Sequence, residues 1–252
     1  MADEIDERVL DAVWQGATRG HFDAAGPAPD LDAGQRLQLR LLERWRAQGE
    51  TVGGWKLGMT SGQSRDAFGA GFRPFGFILN SRILESGGQI SLQQIQRGGI
   101  ENELCFVMGA PLGEAATRES AIAAVAGVAP AFEINQRRIQ ADAAPGLRIA
   151  DDLANWGLVV GRPVAPPEAF GDLVVVLRRA GEEIARVSAT NHIDDHYQTL
   201  ATLACKLAAH GLALQPGDRI ITGAFTRTPL AVGSYEGDFG PVIGRVAVEV
   251  QE

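Results

Sequence analysis

Lysine is nearly missing from this chain: only Lys56 and Lys206 occur among 23 lysines and arginines. Where arginine supplies almost every cation, the rare lysines are not there for solubility, and lysine alone of the two can lose its proton at reachable pH. Cysteine is equally scarce. Cys105 and Cys205 each sit in an apolar stretch, which argues against a disulfide framework and predicts two buried thiols in a reducing cytoplasm. No histidine lies between His21 and His192. His192 and His196 are spaced i, i+4 but lack an HExxH context, so they read as a helix entry with Asp194 and Asp195, not as a zinc site. A GxSxG elbow and a P-loop are absent, which argues against serine hydrolases and NTPases. No run approaches the ~18 apolar residues that span a membrane. The formal charge of −8, with no basic cluster, argues against nucleic acid or an acidic membrane as partner. The acidic start "MADEIDERVL" is unlike a signal or transit peptide, so a cytoplasmic protein is expected.

What is present is a β-rich texture behind a helical start. The 31 glycines favour a body with many turns over a helical bundle. "IDERVLDAVWQG" places Ile5, Val9 and Val13 on one stripe, the period of an amphipathic helix. After "GPAPD", Asp30 or Asp32 can cap a second helix through Leu37, Leu41, Leu42 and Trp45. Residues 1–50 thus form a helical segment and 51–252 a β-rich catalytic domain, the two making one compact α+β unit. Strands are predicted near 52–59, 76–80, 100–108, 128–135, 156–161, 172–178, 182–188, 218–222 and 242–250. Helices fit "ESAIAAVAGV" and "DHYQTLATLACKLAAHG"; Lys206, on the second, is expected to be exposed.

The chemistry concentrates in three segments. "GGIENELCFVMG" reads as a strand apolar on both faces, yet Glu101 and Glu103 open it on one side, their Cα atoms roughly 7 Å apart. "VAPAFEINQRRI" is a second apolar run with a lone Glu133. Carboxylates beside a core repel one another unless something positive joins them. They form either a wet strand end facing Arg97 or Arg138, or a hard-cation site for Mg²⁺ or Mn²⁺. Lys56, in "GGWKLGMTSGQ", lies between apolar neighbours on a glycine-rich strand. It can pair with a glutamate, and burial beside a divalent cation would lower its pKa toward that of a general base. "GAFT", residues 223–226, can line a pocket with backbone N–H groups and the Thr226 hydroxyl, or simply turn a corner.

The chain resembles the 2-keto-4-pentenoate hydratase / 4-oxalocrotonate decarboxylase branch of the fumarylacetoacetate hydrolase superfamily. The resemblance rests on "GWKLGMTS", "IENELCFVMG", "PAFEINQRRI", "ADDLANWGLVVG" and "LATLACKLAAHGLALQPGDRIITGAFT". It implies a fumarylacetoacetate hydrolase-like body of mixed, rolled sheets. It also implies Mg²⁺ or Mn²⁺ on Glu101, Glu103 and Glu133, Lys56 as the proton-transfer residue, and a small 2-oxo acid as substrate, with Ser61, Thr226 and Arg138 on the substrate side. Homo-oligomers are usual in such proteins, and a hydratase can associate with a sister decarboxylase.

Departures from the family pattern bear on the reaction. Hydratases of this kind commonly carry an aspartate in P-D-[FY]-G after the lysine segment. Here "FRPFGFIL" has none after Pro74, and Arg73 is an added cation that either reads a second substrate carboxylate or merely faces solvent. The leading expectation is hydration of a 2-hydroxypenta-2,4-dienoate-type acid in aromatic catabolism, with 4-oxalocrotonate-type decarboxylation second. Hydrolysis of an acylpyruvate C–C bond is disfavoured, because such hydrolases tend to use a histidine–glutamate dyad. A non-catalytic partner subunit is disfavoured by the intact carboxylates and Lys56.

Overall fold

The computed structural model describes residues 2–24, 26–140, 142–167 and 170–252. Helices α1 (Ala2–Arg19) and α2 (Leu31–Ala47) open the chain. They bury Val9, Leu10 and Val13 on one side and Leu37, Leu41 and Leu42 on the other. Asp30 is the cap of α2: its Oδ1 accepts the Ala33 N–H at 2.7 Å, satisfying a donor the helix cannot. Then come β1 (Val52–Leu57), β2 (Phe75–Leu79), β3 (Ile83–Glu85), β4 (Gly88–Ser91) and β5 (Gly98–Met108). Next are α3 (Arg118–Ala124), β6 (Val125–Gln136), α4 (Pro145–Ala150) and β7 (Asn155–Val160). The chain ends through β8 (Val174–Arg179), β9 (Glu182–Ser188), α5 (His196–Ala208), β10 (Arg219–Pro229), β11 (Gly233–Asp238), α6 (Gly240–Ile243) and β12 (Arg245–Gln251). No helix of the described residues is long and apolar enough to cross a membrane.

The strands form two curled, mixed sheets. Seven run in the order β2-β1-β10-β5-β6-β7-β3 and five in the order β4-β12-β11-β8-β9. The nine strands predicted from the sequence are all present. The helix expected over "ESAIAAVAGV" stops at Ala124 instead, because Val125 pairs with Met108 and begins β6. Three further strands, β3, β4 and β11, and the short helix α4 lack a clear hydrophobic period and went unpredicted. Cys105 is buried as expected, but Cys205 is exposed: it lies on the outer side of α5.

Strand β5 is the centre of the larger sheet and has two different faces. Asn102, Leu104 and Phe106 share one face, with Asn102 against β11 of the five-stranded sheet and Phe106 against His196 and Tyr197 of α5. Gly237 of β11 leaves room for Asn102 and Phe132: a Cβ on it would run into Asn102 Oδ1 and lie 3.0 Å from the Phe132 ring. Glu101, Glu103 and Cys105 point the other way, over a small apolar floor that includes Ala129, Ala131, Leu158 and Ile221. The carboxylates therefore stand on a face whose floor is dry.

Candidate metal centre and cavity

Register brings the three glutamates together. Glu101 opposes Glu133 across β5 and β6, and Glu103 follows two residues along the same face. One carboxylate oxygen from each lies within 4.8 Å of the others, and all three residues are buried. Lys56, on β1, points onto the same face, and its Nζ donates to Glu133 Oε1. The remaining partners are neutral or peripheral. Asn155 Nδ2 donates to Glu133 at 2.8 Å and Asn135 Nδ2 to Glu101 at 2.6 Å. Arg227 Nε pairs with Glu101 at 2.7 Å. Glu103 accepts the Gly223 N–H at 2.7 Å. That last bond depends on a break in the β10 register around Ala224 and on Gly223 at φ +138°. A side chain there would be strained and would run into Thr60.

The charges do not balance. Burial pushes the pKa of Glu101 up, against the pull of Arg227, and Glu133 pushes it further. Glu103 is raised well above the usual range by burial and then by Glu133 and Glu101. Burial lowers the pKa of Lys56, but Glu133, Glu101 and Glu103 outweigh it, so the net direction is up. The three carboxylates thus hold the ammonium charged, and the downward shift expected of Lys56 belongs to a site with a divalent cation beside it. Buried, clustered oxygen donors with too few cations fit a hard divalent ion. Carboxylate oxygens are the donors Mg²⁺ and Mn²⁺ accept, and no thiolate or imidazole competes in the cluster.

The cluster lies in the wall of a cavity of about 790 Å³. Thr60, Ser61, Gly223 and Arg138 line the same cavity. Arg138 is already committed: its Nε meets Asp151 Oδ1 at 2.7 Å and both side chains are 2% exposed. Thr226 and Arg73 are not among the cavity-lining residues. Thr226 opposes Asn102 across β10 and β5, on the face toward the second sheet, because the register break shifts the alternation. Arg73 is held by Asp66 at 2.6 Å and Asp194 at 2.8 Å. Lys206, expected to be exposed, is half-buried with Nζ 5.4 Å from the Phe72 ring centre.

Sequence reasoning missed Asp152, although "ADDLANWG" was one of the informative motifs. Asp152 is buried, and its Oδ1 accepts the Phe77 N–H at 2.9 Å and Gln38 Nε2 at 3.1 Å. Its pKa is raised well above the usual range by burial, with Arg138 and Lys56 pulling the other way. Gly76 explains how close it comes to Lys56: a Cβ at Gly76 would lie 2.8 Å from Asp152 Oδ1 and 2.9 Å from Lys56 Cγ. Residues 152 to 154 all have positive φ, at 53°, 51° and 63°, a strained run that aims the carboxylate inward. A buried acid thus approaches the lysine from the α2 side, although none follows Pro74.

A buried carboxylate trio with a lysine, on a curled mixed sheet and open to a cavity, is a candidate centre for a hard divalent cation. The model of the fumarylacetoacetate (FAA) hydrolase C-terminal family matches residues 57–239, and the chain belongs to that family. A 4-oxalocrotonate decarboxylase from a Pseudomonas species is 29% identical over 75% of each chain. A 2-hydroxyhexa-2,4-dienoate hydratase from Comamonas testosteroni is 27% identical over 90% of this chain and 89% of its own. Among solved structures, a 4-oxalocrotonate decarboxylase from Pseudomonas putida G7, complexed with magnesium and adipate, superposes with a TM-score of 0.88. It is 22% identical over 99% of this chain and 98% of its own, and it establishes the shared fold.

Proposed function

We propose that this protein is a divalent-metal-dependent lyase that hydrates a small unsaturated 2-hydroxy or 2-oxo acid of the 2-hydroxypenta-2,4-dienoate type. The observation that carries the reading is the buried trio of carboxylate oxygens within 4.8 Å, with the Lys56 ammonium on Glu133. Glu101, Glu103 and Glu133 would hold Mg²⁺ or Mn²⁺. When bound, such an ion supplies Lewis acidity toward a chelating 2-oxo carboxylate and stabilises the developing enolate charge. Lys56 Nζ carries the proton that moves to and from the substrate's carbon skeleton. Glu133, which accepts its hydrogen bond, fixes where that nitrogen points. The dry floor under the glutamates keeps bulk water from the reacting carbons, so the water that adds enters through the cavity.

Decarboxylation of a 4-oxalocrotonate-type acid is the second reading, favoured by the lack of the aspartate that hydratases of this kind commonly carry after the proline matched by Pro74. It uses the same electron sink and the same lysine. A cytoplasmic homo-oligomer, able to associate with a sister hydratase or decarboxylase, accompanies either reading. An NMR time course with 2-hydroxypenta-2,4-dienoate and with 2-oxohex-3-enedioate, each with Mg²⁺ and with EDTA, tests them. Metal-dependent formation of 4-hydroxy-2-oxopentanoate from the first supports the hydratase. Carbon dioxide from the second alone supports the decarboxylase, and inertness to both overturns the reading.

A further inference from the structure

The side chain of Lys56 has an acid beside it that belongs to no metal ligand. The register of β1 and β2 sets Gly76 directly opposite Lys56, and residues so paired point their side chains to the same face. Gly76 has none, and Asp152 takes the space. A Cβ at Gly76 would lie 2.8 Å from Asp152 Oδ1, 2.9 Å from Lys56 Cγ and 3.2 Å from Lys56 Cδ. The carboxyl therefore stands where the lysine's cross-strand neighbour would stand.

It is held there from the α2 side. Strand β2 is an edge of the seven-stranded sheet, so the backbone groups of Phe75 and Phe77 that point away from β1 need other partners. Gln35 Oε1 accepts the Phe75 N–H at 3.3 Å, and Gln38 Nε2 donates to the Phe75 oxygen at 2.6 Å. Asp152 Oδ1 accepts the Phe77 N–H and Gln38 Nε2. Both bonds fall on Oδ1, and among the described residues none falls on Oδ2.

In the metal-free site Glu133 holds the Lys56 ammonium. A divalent ion on the three glutamates would set a double positive charge beside it and repel it. Rotation along the lysine chain frees Nζ from Glu133 with the backbone fixed. Burial opposes the charge of Asp152, while Arg138 and Lys56 favour it.

Resting on the metal site read above, we propose that Asp152 is a positioning residue for Lys56. It takes the ammonium from Glu133 when a divalent ion occupies the glutamates. The lysine thus has two resting places, one for the empty site and one for the loaded site.

The scarcity of lysine makes this testable by NMR. Protein labelled with ¹⁵N-lysine gives two Nζ signals, and Lys206→Arg identifies that of Lys56. Adding Mg²⁺ to the EDTA-treated wild type should shift the Lys56 signal and leave its protons protected from exchange. Asp152→Asn keeps an Oδ1 for both hydrogen bonds and removes only the acid. It should match the wild type without metal, but with Mg²⁺ its Lys56 protons should exchange about tenfold to a hundredfold faster. Gln38→Met, which leaves the carboxyl in place but loosens it, should give a smaller change in the same direction. In turnover, Asp152→Asn should lower kcat about tenfold to a hundredfold and leave KM nearly unchanged. A Lys56 signal unmoved by bound Mg²⁺, or equal protection in wild type and both variants, would overturn the proposal. Calorimetry separates the failures: no Mg²⁺ binding brings down the metal site and the proposal together, whereas binding with an unmoved signal brings down the proposal alone. A shifted, protected signal in a protein inert to both test acids keeps the positioning role while the proposed reaction falls.

Discussion

Two buried charge clusters face the same cavity and solve opposite problems. Arg138 and Asp151 are a balanced pair: one cation meets one anion, at 2.7 Å from Nε and 2.6 Å from a guanidinium nitrogen to the Asp151 carbonyl. Glu101, Glu103 and Glu133 are unbalanced. They share Lys56 and the solvent-exposed Arg227, and Glu103 has only a backbone N–H of its own. A balanced pair holds a fold in place and needs nothing further. An unbalanced cluster is stable only because the surrounding sheet pairing over-determines it, and it is completed by something from outside. The difference separates the residues that build the cavity wall from those that act in it.

The largest effect should come from removing the cation of the unbalanced cluster. Lys56→Met should lower kcat by about 10²- to 10⁴-fold, the range of a lost acid–base group, while Mg²⁺ affinity is kept or improved, since a competing positive charge is gone. Steady-state rates paired with metal titration check this. A variant that loses metal affinity and keeps kcat at saturating metal would make Lys56 a structural counter-charge.

Breaking the balanced cluster should show in stability instead. Arg138→Met leaves Asp151 buried without its partner and should cost about 3–5 kcal/mol in urea unfolding. Adding Asp151→Leu to that variant should recover most of the loss, because the unpaired charge is removed with it. A third variant probes the trio without exposing a charge. Glu103→Gln should stabilise the metal-free protein, since burial and two like charges oppose its carboxylate. It should also abolish the gain on adding Mg²⁺, which for the wild type at a hundred times Kd is about 2.7 kcal/mol. Thermal melts with Mg²⁺ and with EDTA measure both.

The trio was legible because a charge inside an apolar strand stands out in the sequence, and Lys56 because lysine is so rare here. Their partners were not. Asn135, Asn155, Arg227 and the Gly223 N–H reach the glutamates across strands, and register is not written in any one segment. Thr226 shows the same limit. Counting along "GAFT" places its hydroxyl in the pocket, but two register breaks in β10 turn it toward the second sheet. Arg73 misled for another reason: its partners Asp66 and Asp194 belong to loops, whose pairings follow tertiary position alone. The fold's long strands and helices were readable from period, whereas β11, "GSYEGD", buries little more than Tyr235 and glycine and carries no such signal.

His196 sharpens the contrast by avoiding charge altogether. It is buried at the start of α5 with Nδ1 2.8 Å from Thr222 Oγ1, among the rings of Phe106, Phe170 and Phe225. Burial pushes its pKa down to about 4, although the neighbouring Asp195 pulls upward. The folded state therefore keeps the imidazole neutral, while the unfolded chain protonates it near pH 6.5. Its contribution to stability is complete above that pH and is lost as pH falls from about 6.5 toward 4. Between pH 7 and pH 5 this amounts to about 2 kcal/mol. His196→Gln keeps a group able to bond Thr222 and removes the titration. Unfolding free energies from urea titrations at the two pH values should therefore differ less in the variant than in the wild type, by about that amount. An unchanged pH dependence would place the acid sensitivity in the carboxylate clusters and not in the aromatic cage.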